Sequence, residues 1–223
     1  MPVLSRSKTS NGILSRLSRG DFALLEPHLE AVDLPLRKTL ETRKRRIDQV
    51  YFLETGFASV VANGTSRPGF EVGIIGREGL TGLSVLLGFE RAPHHVYIQA
   101  AGHGWRMGAA DLRLADDKSI TLHRAFLRYT HTFMLQTAMT ALANGRSKVE
   151  ERLARWLLMA DDRIDGDELS LTHEFLGIML GMPRPGVTLA VQALAKEGLI
   201  STKRGRITII DRKALEKGHR RHL

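Results

Sequence analysis

Thr188, Leu189, Gln192 and Lys196 fall on one side of a helical pattern whose other side carries Val187, Ala190, Val191 and Leu194. Their types suit contact with a double helix. A glutamine amide pairs bidentately with adenine, and a leucine side chain touches the methyl group of thymine. Lys196 at the far end suits a phosphate. A second basic cluster, Lys203-Arg204-Gly205-Arg206, lies between the β-branched runs Ile200-Ser201-Thr202 and Ile207–Ile210. That is a hairpin signal, and its basic tip suits a phosphate backbone. The plain alternative for Gln192 and Lys196 is a solvated helix face, and for the whole region a helical core with a surface hairpin.

These side chains need elements to hold them. Ahead of them runs Leu171-Thr172-His173-Glu174-Phe175-Leu176-Gly177-Ile178-Met179-Leu180-Gly181-Met182. The Thr172 hydroxyl is a suitable N-cap, accepting an otherwise orphaned amide hydrogen bond. Leu176 and Leu180 stand four apart on one face. Gly177 is small where a second helix must cross closely, and Gly181 can take the positive φ that ends a helix in a sharp turn. Helix, glycine turn, helix and basic hairpin in this order predict a winged helix-turn-helix with DNA as partner. Thr172, Arg184, Thr188, Leu189, Gln192, Lys196, Lys203, Arg204 and Arg206 are the candidate contact residues.

Composition agrees. The 223 residues carry a net charge of +9. From Arg184 to Leu223 there are ten Lys or Arg against three Asp or Glu, so most of the excess sits at this end. Such a field steers a protein to a polyanion, although the last four residues, Arg220 to Leu223, also read as a solubilising tail. The chain has no cysteine, which excludes disulfides, thiol switches and Cys-ligated clusters and fits a cytoplasmic protein. No apolar run reaches membrane-spanning length, and no signal peptide is expected. Met1 to Gly20 is polar and basic, and its first ten or so residues are expected to be mobile.

The front half reads as β-rich. Eleven of the 21 glycines fall between Gly56 and Gly108, so the chain turns often there. Gln49–Leu53, Ala58–Ala62, Glu71–Ile75, Val96–Ala100 and Gly104–Met107 are candidate strands. Val50/Phe52, Val72/Ile74 and Val96/Ile98 alternate as strands with one buried face do. A compact roll is implied, preceded by two short helices through Ile13, Leu14, Leu17, Phe22, Leu25 and Leu29. Lys118 to Ala143, free of Pro and Gly, predicts a helix on the order of 39 Å long. Leu122, Phe126, Tyr129 and Phe133 make one apolar stripe; Leu127, Met134, Leu135, Ala138 and Leu142 widen it. A helix apolar on two sides needs two neighbours: the roll and the same helix of a second subunit. Asn144-Gly145 is expected to break it, and Ser147-Lys148-Val149-Glu150 to start the next helix as a capping box, with Val149, Leu153, Trp156, Leu157 and Ala160 buried. The fold class is therefore α+β: a sensor-like β-roll over 1–117, a long dimerisation helix over 118–143, and a winged helix-turn-helix over 144–223.

Catalytic chemistry finds little support. His94, His95 and His103 raise a cupin-like metal site, but neighbours on a strand point to opposite faces, and the usual His-x-His spacing is absent. The acidic loop Asp161 to Glu168 suggests calcium, but Arg163 and Thr172 stand where an EF-hand needs carboxylates; it reads as a solvated turn. His123 and His131 on the long helix read as packing or surface residues, with His131 a candidate pH-responsive group. No nucleophile–base arrangement stands out, and neither enzyme activity, metal nor cofactor is expected.

The order of parts resembles the Crp/Fnr family of bacterial transcription regulators over nearly the whole chain. The resemblance is carried by Tyr51-Phe52-Leu53-Glu54-Thr55-Gly56, Ile74-Ile75-Gly76-Arg77-Glu78-Gly79, Val149-Glu150-Glu151-Arg152-Leu153-Ala154, Leu171-Thr172 through Leu180-Gly181, and Arg204-Gly205-Arg206-Ile207-Thr208-Ile209. It implies a cyclic-nucleotide-binding-like roll, a dimerisation helix, a winged helix, and a homodimer on a two-fold symmetric operator with half-sites roughly 34 Å apart. It also makes RNA polymerase a candidate partner. Where cyclic-nucleotide-binding members have a ribose-binding acid, this chain has Leu83 within Thr81-Gly82-Leu83-Ser84. Where they have a phosphate-binding arginine, Ala92 stands, with Arg91 one position off. Leucine accepts no hydrogen bond, so gating by cAMP is not expected. The family's Arg-Glu-x-Val-x-Arg is here Arg184-Pro185-Gly186-Val187-Thr188-Leu189. A residue before proline avoids α geometry, so Arg184 is expected at the cap, aimed at a phosphate rather than a base. The competing readings are a regulator gated by an unidentified effector in the roll, and a protein-interaction module using the roll alone.

Overall fold

The computed structural model describes residues 6–62, 69–166 and 168–220. The chain divides into two compact units, residues 1–60 with 75–135 and residues 61–74 with 136–223.

In chain order, a 3₁₀ turn over Leu14–Arg16 leads to α1 (Arg19–Leu25), a second 3₁₀ turn over Glu26–His28, and strands β1 (Glu30–Leu34), β2 (Thr39–Glu41), β3 (Gln49–Leu53), β4 (Phe57–Ala62) and β5 (Phe70–Ile75). Then come α2 (Leu83–Leu86), β6 (His95–Ala100), β7 (Gly102–Gly108), α3 (Ala109–Lys118) and α4 (Ile120–Arg146). The C-terminal part holds α5 (Val149–Asp161), β8 (Glu168–Ser170), α6 (His173–Leu180), α7 (Arg184–Lys196), β9 (Ile200–Lys203), β10 (Arg206–Ile209) and α8 (Arg212–Arg220). Three sheets form, ordered β1-β7-β3, β2-β6-β4-β5 and β8-β10-β9. The architecture is α+β, as expected, with antiparallel ladders such as Gln49↔Gly108 through Leu53↔Gly104.

All five expected strands are present. The short strands β1 and β2 are additional; Glu30-Ala-Val-Asp-Leu offers too little apolar alternation to be read from sequence. The expectation of one buried face fails for β3, where Val50 through Leu53 are all buried. One side packs on the core with Phe52. On the other, Tyr51 is covered: its amide donates to the Thr81 hydroxyl at 3.0 Å, and the Lys38 ammonium lies 5.7 Å from its ring centroid. Leu14, Leu25, Val50, Phe52, Leu80, Leu112, Leu122 and Phe126 form the heart of this core, each large side chain contributing about 1.5–3 kcal/mol by leaving water.

The N-terminal segment is more ordered than its composition suggests. Residues 1–5 lie outside the described residues, but Asn11 is fully buried. Its side-chain amide donates to the carbonyls of Leu53 (2.9 Å) and Gly79 (2.8 Å). The Thr9 hydroxyl donates to the Glu54 carboxylate. Side-chain anchoring of this kind leaves no apolar signature in sequence.

The long helix differs at both ends from its expected span. Residues 109–118 form the separate α3, which ends where Ser119 turns extended. At the other end α4 runs through Asn144 and Gly145 to Arg146. Ser147 N still donates to Ala143 O at 2.9 Å, so one isolated glycine does not stop a helix whose ladder continues around it. The capping signal accordingly moves by one residue: the N-cap of α5 is Lys148, whose amide donates to Glu151 Oε2 at 3.1 Å. Along α4, Leu122, Phe126 and Tyr129 are buried, whereas Leu127, Met134, Leu135, Met139 and Leu142 are each more than a third exposed. Among the described residues no helix is long and apolar enough to cross a membrane.

In the second unit, Leu153, Trp156, Leu157, Leu171, Leu176, Leu180, Val187, Val191, Leu194, Ile200, Ile207 and Leu215 are buried together with Ala160 and Ala190. Strand β5 lends it two polar ties. The Gln136 side chain bonds both backbone groups of Ile74, at 2.7 and 3.1 Å, and Trp156 Nε1 donates to the buried Glu71 carboxylate at 2.6 Å. Asp161 and Asp162 do not form a free turn. They accept from Arg212 at 2.5 Å each and so tie α8 to the end of α5. Asp167, in the same acidic stretch, lies outside the described residues.

Candidate nucleic-acid interface

The site begins at the crossing of α6 and α7. Thr172 caps α6: its hydroxyl accepts from Phe175 N at 3.2 Å, as its residue type implies. Gly177 permits the crossing, since a Cβ there would lie 2.9 Å from the Met182 carbonyl oxygen. Gly181 closes the helix at φ 61°, and Met182 N donates back to Gly177 O at 2.9 Å. Val187, Ala190, Val191 and Leu194 then seal α7 against the core. The opposite face of α7 is open: Arg184, Gln192 and Lys196 are exposed, and Leu189 is 66% exposed.

Two placements differ from the sequence reading. Arg184 is not the cap of α7. Pro183 holds that position with extended backbone, and Arg184 and Pro185 form the first turn. There neither proline needs an amide, and Gly186 N donates to Pro183 O at 3.0 Å. Thr188 is half-buried, and its hydroxyl donates to Arg184 O at 3.1 Å. That hydroxyl also lies 3.0 Å from His173 Nδ1. With its one proton committed to Arg184 O, the hydroxyl accepts from the ring, which sets His173 as the Nδ1–H tautomer. Thr188 is thereby a strut between α6 and α7. His173 was missed in the sequence reading; its signal was its place just after the cap of the first helix.

The wing is β9 and β10 joined by Arg204 and Gly205, both with positive φ, 48° and 78°. A two-residue turn of this kind matches the twist of a hairpin. Lys203 pairs with Arg206 across its base, and Lys203, Arg204 and Arg206 are all exposed. A third strand, β8, supports the wing: Arg206↔Ser170 through Thr208↔Glu168, with Leu171 N donating to Gly205 O at 2.8 Å. Three residues of alternating polarity were too short to read as a strand. Arg206 Nη1 meets Glu168 Oε2 at 2.7 Å, so this predicted contact residue is shared with an exposed carboxylate. Among the described residues Arg184, Lys196, Lys203 and Arg204 form no ion pair.

Of the histidines weighed for a metal, His95 lies on β6, while His103 on β7 lies 3.0 Å from the Thr55 hydroxyl. Burial and the charge of Arg43 push His94 below the usual imidazole range. Among the described residues no group of three or more His, Asp or Glu is placed to hold a metal ion.

Residues 151–217 match the model of the Crp-like helix-turn-helix domain. The second unit thus contains a Crp-like helix-turn-helix. The whole chain has the Crp/Fnr fold. It is similar to a transcriptional regulator of the Crp/Fnr family from Eubacterium rectale, with TM-score 0.73 and 18% identity, covering 95% of this chain and 99% of that one. It is similar to FixK2 from Bradyrhizobium japonicum, with TM-score 0.73 and 16% identity over 85% and 96% of the two chains. A Crp/Fnr-family regulator from Thermus thermophilus gives TM-score 0.69 and 20% identity over 85% and 98%. No curated protein matches the sequence.

Proposed function

We propose that this chain is a cytoplasmic, sequence-specific transcription regulator, a divergent relative of the Crp/Fnr proteins, that binds a two-fold symmetric operator as a homodimer without cAMP. The observation that carries it is the outward face of α7, where Leu189, Gln192 and Lys196 are exposed above a fully buried stripe. In a major groove Gln192 reads adenine and Leu189 touches a thymine methyl. Arg184, Lys196, Lys203 and Arg204 hold phosphates. Thr172, whose hydroxyl oxygen is occupied by Phe175 N, donates its proton to a phosphate at the positive end of α6. Arg206 joins by exchanging Glu168 for phosphate, and Thr188 contributes only its methyl.

Two further observations support the finer parts. The exposed stripe of α4, from Leu127 to Leu142, is the seam for a second copy. In the roll, Leu83 and Ala92 stand in place of the acid and the arginine that would hold a cyclic nucleotide. The Gly82 amide beside them already donates to Glu41 Oε1 at 2.7 Å. The regulator would then act on transcription through RNA polymerase.

The test is selection of bound duplexes from a random pool, followed by titration of two variants. Gln192→Ala is expected to relax preference at one base pair per half-site, by about 1–3 kcal/mol. Arg204→Ala is expected to weaken all sequences alike and lower the salt slope by about 2, one phosphate contact for each of the two subunits. Equal losses on selected and scrambled DNA for both variants would remove this division of labour.

A further inference from the structure

His173 is a titratable group that the outward face of α7 does not use. It is half-buried in the first turn of α6. Its ring nitrogen Nδ1 donates to the Thr188 hydroxyl at 3.0 Å, and that hydroxyl donates on to Arg184 O at 3.1 Å. The donors run one way, so the neutral ring carries its single proton on Nδ1. Nε2 is then a lone pair, able to accept but not to donate.

His173 also lines a cleft of about 230 Å³ with Thr202, Lys203, Arg204 and Arg206 of the wing. Thr188 is not one of its walls, so the ring reaches the cleft by its other edge. The charged walls are cations. Lys203 and Arg204 form no ion pair among the described residues, while Arg206 meets Glu168 of β8 at 2.7 Å. Glu174, next on α6, and Arg184, in the first turn of α7, are both exposed. From α5, Arg152 donates to Leu180 O at the opposite end of α6. A cleft of this charge suits an anion, and guanidinium groups suit phosphate oxygens in particular.

We propose that His173 takes up a proton when the cleft receives a backbone phosphate of the duplex, and that operator affinity is thereby coupled to pH. This rests on the regulator reading above and adds to it a contact that only the charged ring can make. Neutral His173 turns a lone pair toward the phosphate, whereas the imidazolium turns a donor toward it. The phosphate brings the negative charge that favours the imidazolium, and the bond that forms is charge-assisted on both sides. Because Thr188 holds the proton of the neutral ring on Nδ1, Nε2–H appears only with a second proton.

Full-length protein is titrated onto its selected operator between about pH 6 and pH 8, the range in which histidine is the switching side chain. Affinity is expected to rise on acidification by about tenfold per subunit. The salt slope is expected to be steeper by about 0.9 per subunit at the acid end. Calorimetry in two buffers of different ionisation heat should register proton uptake on binding. His173→Gln offers an amide donor that does not titrate. In that variant the gain on acidification, the steeper slope and the matching proton uptake are all expected to disappear. Comparing the two proteins cancels the contribution of every other histidine. Thr188→Val removes the acceptor and keeps a methyl, so the neutral ring can carry its proton on Nε2. Its pH dependence is expected to shrink with His173 still in place.

Equal pH dependence and equal proton uptake in the unmodified protein and His173→Gln would overturn the proposal while leaving the regulator reading intact. Undiminished pH dependence in Thr188→Val would overturn the tautomer lock on which the coupling turns. If no duplex is selected at any pH in this range, the regulator reading fails and the coupling with it.

Discussion

Glu41 is 8% exposed, and its Oε1 accepts from the Gly82 amide. Burial pushes its carboxyl above the usual range, and the Gly82 hydrogen bond offsets only part of that. An acid whose pKa is raised on folding destabilises the folded state once it ionises. The penalty is absent below the pKa of the unfolded chain and fully present above that of the folded one. Glu41→Gln keeps an acceptor for Gly82 and removes the charge. Its Tm is therefore expected to exceed that of the unmodified protein at neutral pH, by about 2–4 °C for each kcal/mol relieved. The gap should close as pH falls through the raised pKa. Thermal unfolding across pH checks this, and a gap that widens on acidification would contradict it. A glutamate following a leucine in a three-residue strand gave no hint of this burial, because its partner Gly82 lies 41 residues further along the chain.

Elements were more legible than their limits. The helix pair, its glycine turn and the hairpin could be read because each rests on local chemistry: a threonine cap, a glycine with positive φ, and a buried stripe of period 3.6. Strand β8 and helix α3 could not, since both depend on what packs beside them. Helix α4 shows both sides of this. Its two apolar stripes were visible in sequence, but only the fold separates Leu122, Phe126 and Tyr129, which are buried, from Met134 (62% exposed) and Leu135 (53%). An ordered helix with a second apolar stripe left in water is expected to pair. Leu135→Glu puts a charge in that seam, so the protein is expected to sediment as a monomer and lose at least about a hundredfold in operator affinity. A variant that stays dimeric would place the subunit contact on another surface.

At the scale of the molecule, the proposed reading gives one chain one recognition helix, and α7 with its wing is then too small a surface for high specificity alone. A single module buries only about 600–1,000 Å² of protein surface on DNA. A closed two-fold dimer doubles the site and fixes the distance between its halves. On the proposed reading both α7 helices enter major grooves on one side of the duplex, so selected sequences are expected to be inverted repeats with half-site centres about 10–10.5 base pairs apart, or a multiple of that. Phase matters as well as distance. Inserting about five base pairs between the halves turns one to the opposite side of the helix. The second subunit then loses its groove, and affinity should fall to that of an isolated half-site. Inserting a full turn restores the facing while stretching the span, so it should recover part of the loss only if the protein can extend. An affinity indifferent to both insertions would mean that the two recognition helices act independently, and the symmetric operator would have to be given up.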